Sequence, residues 1–74
     1  DLQEADFTEA DLSGSAFLNC DLYRTIFYNT NLEKADFTTS FNYSFDPERN
    51  RVKKARFSRN GVLGLLQKYN LEIE

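Results

Sequence analysis

Large apolar residues recur at every fifth position from the start of the chain: Leu2, Phe7, Leu12, Phe17, Leu22, Phe27, Leu32 and Phe37. Two positions before each, from Phe7 onward, stands a small residue: Ala5, Ala10, Ser15, Cys20, Thr25, Thr30 and Ala35. An internal period takes precedence over any local reading of secondary structure. A step of five fits neither regular element. Five residues of α-helix advance about 500°, which sends successive large residues all round the cylinder. In a straight strand the side chains alternate, so an odd step puts Leu2 and Phe7 on opposite faces. All eight are buried together only if the chain bends in the same sense every five residues. That predicts a coil with short sides, wound around its own interior.

Leu and Phe alternate, so the true period is ten, and a three-sided coil would stack Phe on Leu. A four-sided coil stacks Phe7 on Phe27, Phe17 on Phe37, Leu2 on Leu22 and Leu12 on Leu32. The small residues then point inward between the large ones, because a narrow interior reaches normal density only by interleaving large and small side chains.

The units ADFTE, ADLSG, SAFLN, CDLYR, TIFYN, TNLEK and ADFTT resemble the A(D/N)LXX units of the pentapeptide-repeat family, from residue 1 to about residue 40. The resemblance implies an all-β fold, a right-handed quadrilateral β-helix. The corners and the handedness come from the family and not from the period. Two coils alone are marginal, since solenoids depend on neighbouring coils and end caps. Residues 41–74 are therefore expected to supply one cap, and residues before Asp1 more coils.

After Phe37 the next positions in register are Asn42 and Pro47, so 41–51 reads as a loop with a turn at Asp46-Pro47. Val52 and Phe57 return in register, with Ala55 at the small position, and predict a final partial coil over 52–59. Residues 60–74 predict a helix and tail. Ser58 or Asn60 would cap a short α-helix whose stripe is Val62, Leu65, Leu66 and Tyr69, with Asn70 as its stop. Leu71 and Ile73 alternate with Glu72 and Glu74, as in a brief edge strand. Gly61 and Gly64 weaken the helix by up to about 1 kcal/mol each, so it needs packing to persist. The stripe either covers the open end of the coil or also meets its copy in a second chain. DPERNRVKKARF and the LL-containing helix resemble the C-terminal caps of Qnr-type members of the family, which implies homodimerisation through Val62, Leu65, Leu66 and Tyr69.

Seventy-four residues allow one small domain, and 41% hydrophobic with 28% charged residues is too apolar for a disordered chain. No apolar run approaches the roughly 20 residues of a membrane helix, and there is no signal-peptide pattern, so a cytoplasmic protein without membrane contact is expected. The chain has one cysteine and no histidine, which excludes an internal disulfide, a Cys/His zinc site and histidine-based catalysis. Cys20 occupies a small inward position and reads as an inert buried thiol. No catalytic residue, metal or cofactor is expected. Methionine is absent and Asp1 is first, so the chain is expected to be a piece of a longer protein.

The net charge of −3 conceals an asymmetry. Residues 1–40 carry eight acids and two bases, whereas residues 41–74 carry seven bases and four acids. Asp1, Asp6, Asp11, Asp21 and Asp36 each precede a large inward residue and are expected at outward corners. Duplex DNA carries one charge per about 1.7 Å, roughly six over the ~10 Å of two coils, a density like that of the repeat segment. The match supports a duplex-DNA mimic that occupies a basic DNA-binding groove on another protein, with those five aspartates as the partner-binding residues. For Qnr-type relatives the resemblance implies binding to DNA gyrase and topoisomerase IV and protection from quinolones. The alternative is that Asp is an ordinary solvated residue at this offset, and that the protein is a structural or scaffolding solenoid. Arg49, Arg51, Lys53, Lys54, Arg56 and Arg59 invite direct nucleic-acid binding, but the acidic coil beside them repels phosphate, and no stacking platform is evident. A solvated loop or a patch facing an acidic partner is the reading adopted for them. Leu18, Tyr23, Ile26 and Tyr28 are expected to point outward.

Overall fold

The computed structural model describes residues 2–74, and Asp1 lies outside them. Regular elements are few. Two strands, β1 (Asp36–Phe37) and β2 (Arg56–Phe57), pair in parallel, a 3-10 turn spans Pro47–Arg49, and a 3-10 helix spans Gly61–Tyr69. Single parallel bridges join Asp6 to Ile26, Asp11 to Asn31, Ala16 to Asp36, Asp21 to Phe41 and Asn31 to Arg51. Every partner is twenty residues further on, so the backbone returns beside itself at that interval.

The bends come from a left-handed backbone conformation at one position in each five. Glu4, Glu9, Gly14, Asn19, Arg24, Asn29 and Lys34 all have φ between 52° and 72°, and Lys54 resumes the series. Asn and Gly tolerate this conformation, but Glu, Arg and Lys do so only at a cost of roughly 1 kcal/mol or more. The cost is offset by hydrogen bonding between coils. Ile26 N–H donates to the Ala5 carbonyl at 2.8 Å and Phe7 N–H to the Ile26 carbonyl at 2.8 Å, a pattern repeated at Asn31, Asp36 and Phe41. The turning residues are thus two after each large one. Asp6, Asp11, Asp21 and Asp36 lie instead at the bridged positions, which corrects their assignment to corners, while Asp1 lies outside the described residues.

Inside, Phe7 stacks on Phe27 with ring centres 5.6 Å apart, Phe17 on Phe37 at 4.8 Å, and Phe37 on Phe57 at 5.1 Å. Neighbouring columns meet edge to face, as Phe27 does with Phe37 at 5.8 Å. Phe17, Leu22, Phe27, Leu32 and Phe37 are buried, while Leu2, Phe7, Leu12, Val52 and Phe57 are half-buried against them. Ala35, Thr25, Thr30 and Ser40 fill the small inward positions. Their hydroxyls are satisfied: Thr25 donates to the Leu2 carbonyl at 2.7 Å and Thr30 to the Phe7 carbonyl at 2.8 Å. Asn50 continues the ladder, donating to the Phe27 carbonyl at 3.0 Å.

Residues 41–51 are more than a loop. Phe41 is exposed, but Tyr43 and Phe45 turn inward and are buried against Phe37 and Phe57. They take the place that the in-register residues Asn42 and Pro47 leave unfilled and plug the end of the core. Asp46 caps the Pro47–Arg49 turn by accepting from the Glu48 N–H at 2.9 Å.

The C-terminal helix is a 3-10 helix and not the expected α-helix. With about three residues per turn, side chains three apart line up, so the expected stripe splits. Val62 and Leu65 pack on the core with Lys68 below them, whereas Tyr69 is exposed and Leu66 only half-buried. Close approach explains the two glycines. A β-carbon on Gly64 would collide with the Tyr43 carbonyl oxygen, and one on Gly61 with the Tyr43 hydroxyl. Ser58, not Asn60, caps the helix, its Oγ accepting from Gly61 N–H at 2.9 Å. Asn70 ends it in the left-handed conformation. Beyond it, Leu71 and Ile73 are both exposed and form no strand, because no neighbouring backbone offers them a ladder.

Candidate functional site

Three surface regions stand out, and the first is acidic. Residues 1–23 contain no lysine or arginine. Glu4, Asp6, Glu9 and Asp11 are exposed, and among the described residues none has an ion-pair partner. The aspartates also serve their own backbone. Asp6 accepts from Thr8 N–H at 2.9 Å, Asp11 from Ser13 at 3.1 Å, Asp21 from Tyr23 at 3.1 Å and Asp36 from Thr38 at 2.9 Å. This is the turn that Asp and Asn favour because the side chain mimics a backbone acceptor. Asn31 does the same for Glu33, at 3.1 Å, without a charge.

At Asp6, Asp11 and Asp36 these bonds favour the ionised carboxylate. The Thr8 hydroxyl and then its N–H depress the Asp6 pKa, the Ser13 N–H and hydroxyl that of Asp11, and the Thr38 hydroxyl and N–H that of Asp36. Asp21 is tied across coils, accepting from Gln3 at 3.0 Å and Asn42 at 3.1 Å. The bridges place Asp6, Asp11, Asp36 and Asp21 in four different stacks, so they form no single stripe. Asp21 and Asp36 are half-buried, and Asp36 is met by Arg56 at 3.8 Å. The exposed acidity therefore concentrates on Glu4, Asp6, Glu9 and Asp11. Glu4 and Glu9 are the members that the aspartate pattern alone misses.

The second region is basic. Lys34, Lys53 and Lys54 line a groove of about 300 Å³ together with Glu33. Glu33 is engaged by Arg51 at 3.4 Å, leaving the three lysines without an acidic partner among the described residues.

The third is apolar and lies at the C-terminal end. Leu63, Leu66, Leu71 and Ile73 line a cavity of about 270 Å³ with Gln67 and Asn70. Leu63, Tyr69, Leu71 and Ile73 are exposed there, unlike Leu65, which the cap itself buries. Lys68 fastens the cap, pairing with Asp46 at 3.1 Å and with Glu48. Leu18, Tyr23, Ile26 and Tyr28 point outward, each at least 45% exposed. Cys20 is half-buried, its thiol 3.4 Å from the Leu18 carbonyl.

Among the described residues no cluster of three or more His, Cys, Asp and Glu is placed to hold a metal, and no helix is long and apolar enough to cross a membrane. Unit length and residue offsets together define a repeat protein with a five-residue unit. Residues 1–38 match the family of pentapeptide repeats, in eight copies, and the chain belongs to that family. No curated protein matches it.

Proposed function

We propose that the protein is a non-catalytic binding module whose acidic first coil occupies a basic, DNA-binding surface of a type II topoisomerase, DNA gyrase or topoisomerase IV, and shields that enzyme from quinolones. The observation that carries this reading is the exposed group Glu4, Asp6, Glu9 and Asp11 on a stretch of 23 residues without a cation. Charge of one sign on an exposed surface steers association with a surface of the opposite sign. A cytoplasmic location belongs to the same proposal, because that is where the partner enzyme works.

A scaffolding role is the second reading. It draws support from the bond each aspartate makes to its own turn, which gives the residue a purpose in folding alone. Asp6→Asn with Asp11→Asn separates the two, since Asn31 performs the same capping without charge. The assay is gyrase supercoiling in the presence of ciprofloxacin. Protection by the protein, lost in the double variant, is the expected result. No protection by folded protein supports the scaffold.

The fold we propose for this module is the right-handed quadrilateral β-helix of its family. Parallel bridging at twenty residues and a left-handed turn every five support it. We further propose a homodimer through the C-terminal end, with Leu63, Leu66 and Tyr69 in place of the inward Val62 and Leu65. Leu63→Asp with Tyr69→Asp is expected to halve the mass in light scattering.

A further inference from the structure

We propose that the groove formed by Lys34, Lys53 and Lys54 is a second docking surface, which takes a short acidic segment of a partner polypeptide. This goes beyond the topoisomerase reading and does not depend on it. The three ammonium groups come from successive coils held side by side: Lys34 N–H donates to the Lys53 carbonyl at 3.0 Å. Lys34 and Lys54 hold the same left-handed turn position, at φ 62° and 61°. The paired backbone thus brings three lysines to the walls of one groove of about 300 Å³. Three cations lining one groove are complementary to an anionic ligand. The one carboxylate in the groove, that of Glu33, is paired with Arg51 at 3.4 Å and makes no ion pair with the lysines.

The surroundings select the kind of anion. No aromatic side chain lines the groove, so nothing offers a base the stacking that single-stranded nucleic acid uses. The coil above is the acidic one, joined to this coil where Gly14 N–H meets the Glu33 carbonyl at 2.8 Å and where Asp11 bridges Asn31. A polyanion charged along its whole length and laid across the coils would meet the acidic coil that carries Glu9 and Asp11, one coil spacing of ~4.8 Å away. A peptide with a few carboxylates and neutral flanks places its charge on the lysines and ends there.

The test uses the full chain and three fluorescein-labelled probes in anisotropy titrations at low salt: a peptide with four consecutive glutamates flanked by Gly and Ser, the same peptide with glutamines, and an oligothymidine of matching charge. The glutamate peptide is expected to bind, and to lose affinity as salt is raised. Lys34→Glu with Lys53→Glu and Lys54→Glu is expected to weaken it by about tenfold or more. The fold accommodates these changes, since Glu4 and Glu9 already occupy the turn position of Lys34 and Lys54, and Glu33 stands twenty residues before Lys53. Should the triple variant nonetheless unfold, Lys→Gln at the same sites serves instead. Asp6→Asn with Asp11→Asn is expected to leave peptide binding intact while abolishing gyrase protection, which keeps the two proposals separate. Equal binding of the glutamate and glutamine peptides, unchanged binding by the triple variant, or tighter binding of the oligothymidine would each overturn the proposal.

Discussion

Leu2, Phe7 and Leu12 hold the same places in the five-residue unit as Leu22, Phe27 and Leu32, yet the two sets are packed differently. Leu22 and Leu32 have no exposed surface and Phe27 keeps 4%, whereas the first three are half-buried. Residue type and local geometry are shared, so the difference lies in what each coil has on either side. The second coil is sandwiched, and the first has a neighbour on one side only among the described residues. Where each twenty-residue turn of the backbone packs on the one before and the one after, burial follows position in the stack. At the other end the chain closes its core with residues from outside the repeat: Tyr43 and Phe45 beneath, then Val62 and Leu65 from the 3-10 helix. Phe37 sits where the two regimes meet, against Phe17, Phe27, Tyr43, Phe45 and Phe57.

The largest contrast should come from that residue. Phe37→Ala is expected to cost about 3–5 kcal/mol, as in a fully packed core, and Phe7→Ala distinctly less. Urea unfolding of both measures this, and equal losses would break the comparison. Next, Gly64→Ala drives a methyl group into the Tyr43 carbonyl and is expected to cost about 1–3 kcal/mol. Gly14→Asn, at φ 72° in open space, is expected to change little, because Asn19 and Asn29 occupy the same turn position.

The smallest effect is expected from the exposed ion pairs of Lys68. Partial burial raises the Asp46 pKa, but the Glu48 N–H and the Lys68 ammonium outweigh it and hold the carboxyl below its ordinary value. Glu48 and then Asp46 push the Lys68 pKa upward. The Asp46 contribution is thus complete above an ordinary carboxylate pKa of about 3.9 and is lost as pH falls through the lowered one. That of Lys68 is complete below about 10.4 and is lost only as pH rises through the raised value. At neutral pH both operate. Limited proteolysis of residues 60–74 should accelerate below about pH 4, and Lys68→Ala should flatten that dependence.

The sequence made the repeat legible because burial imposes one residue class at one spacing: Leu2 through Phe37 and Ala5 through Ala35 announce it without knowledge of the backbone. The turns were not legible in the same way. Gly14, Asn19 and Asn29 favour the left-handed conformation, but Glu4, Glu9, Arg24 and Lys34 hide it, since inter-coil hydrogen bonds force it on residues that do not prefer it. Tyr43 and Phe45 escaped because they plug the core from out-of-register positions, and no period marks them. The 3-10 form of the helix carried no such mark, and Gly61 and Gly64 serve contact with Tyr43, a residue far off in sequence. As for the candidate site, the aspartates were visible from their offset, but the partial burial of Asp21 and Asp36 and the pairing of Asp36 with Arg56 leave the exposed charge on Asp6 and Asp11, with Glu4 and Glu9 beside them. The lysine groove needed the twenty-residue return to bring Lys34 beside Lys53 and Lys54.

Amide hydrogen exchange, read residue by residue, tests the central claim that the chain lies beside itself every twenty residues. Ile26, Asn31 and Asp36 donate to carbonyls of the coil before, those of Ala5, Ala10 and Ser15, whereas Asp6, Asp11 and Ala16, at the same place in the unit, have no backbone acceptor among the described residues. The account predicts slow exchange at the first three and fast exchange at the second three, with protection recurring at intervals of five. Equal rates for the two sets, or an unbroken protected run such as a helix gives, would contradict it.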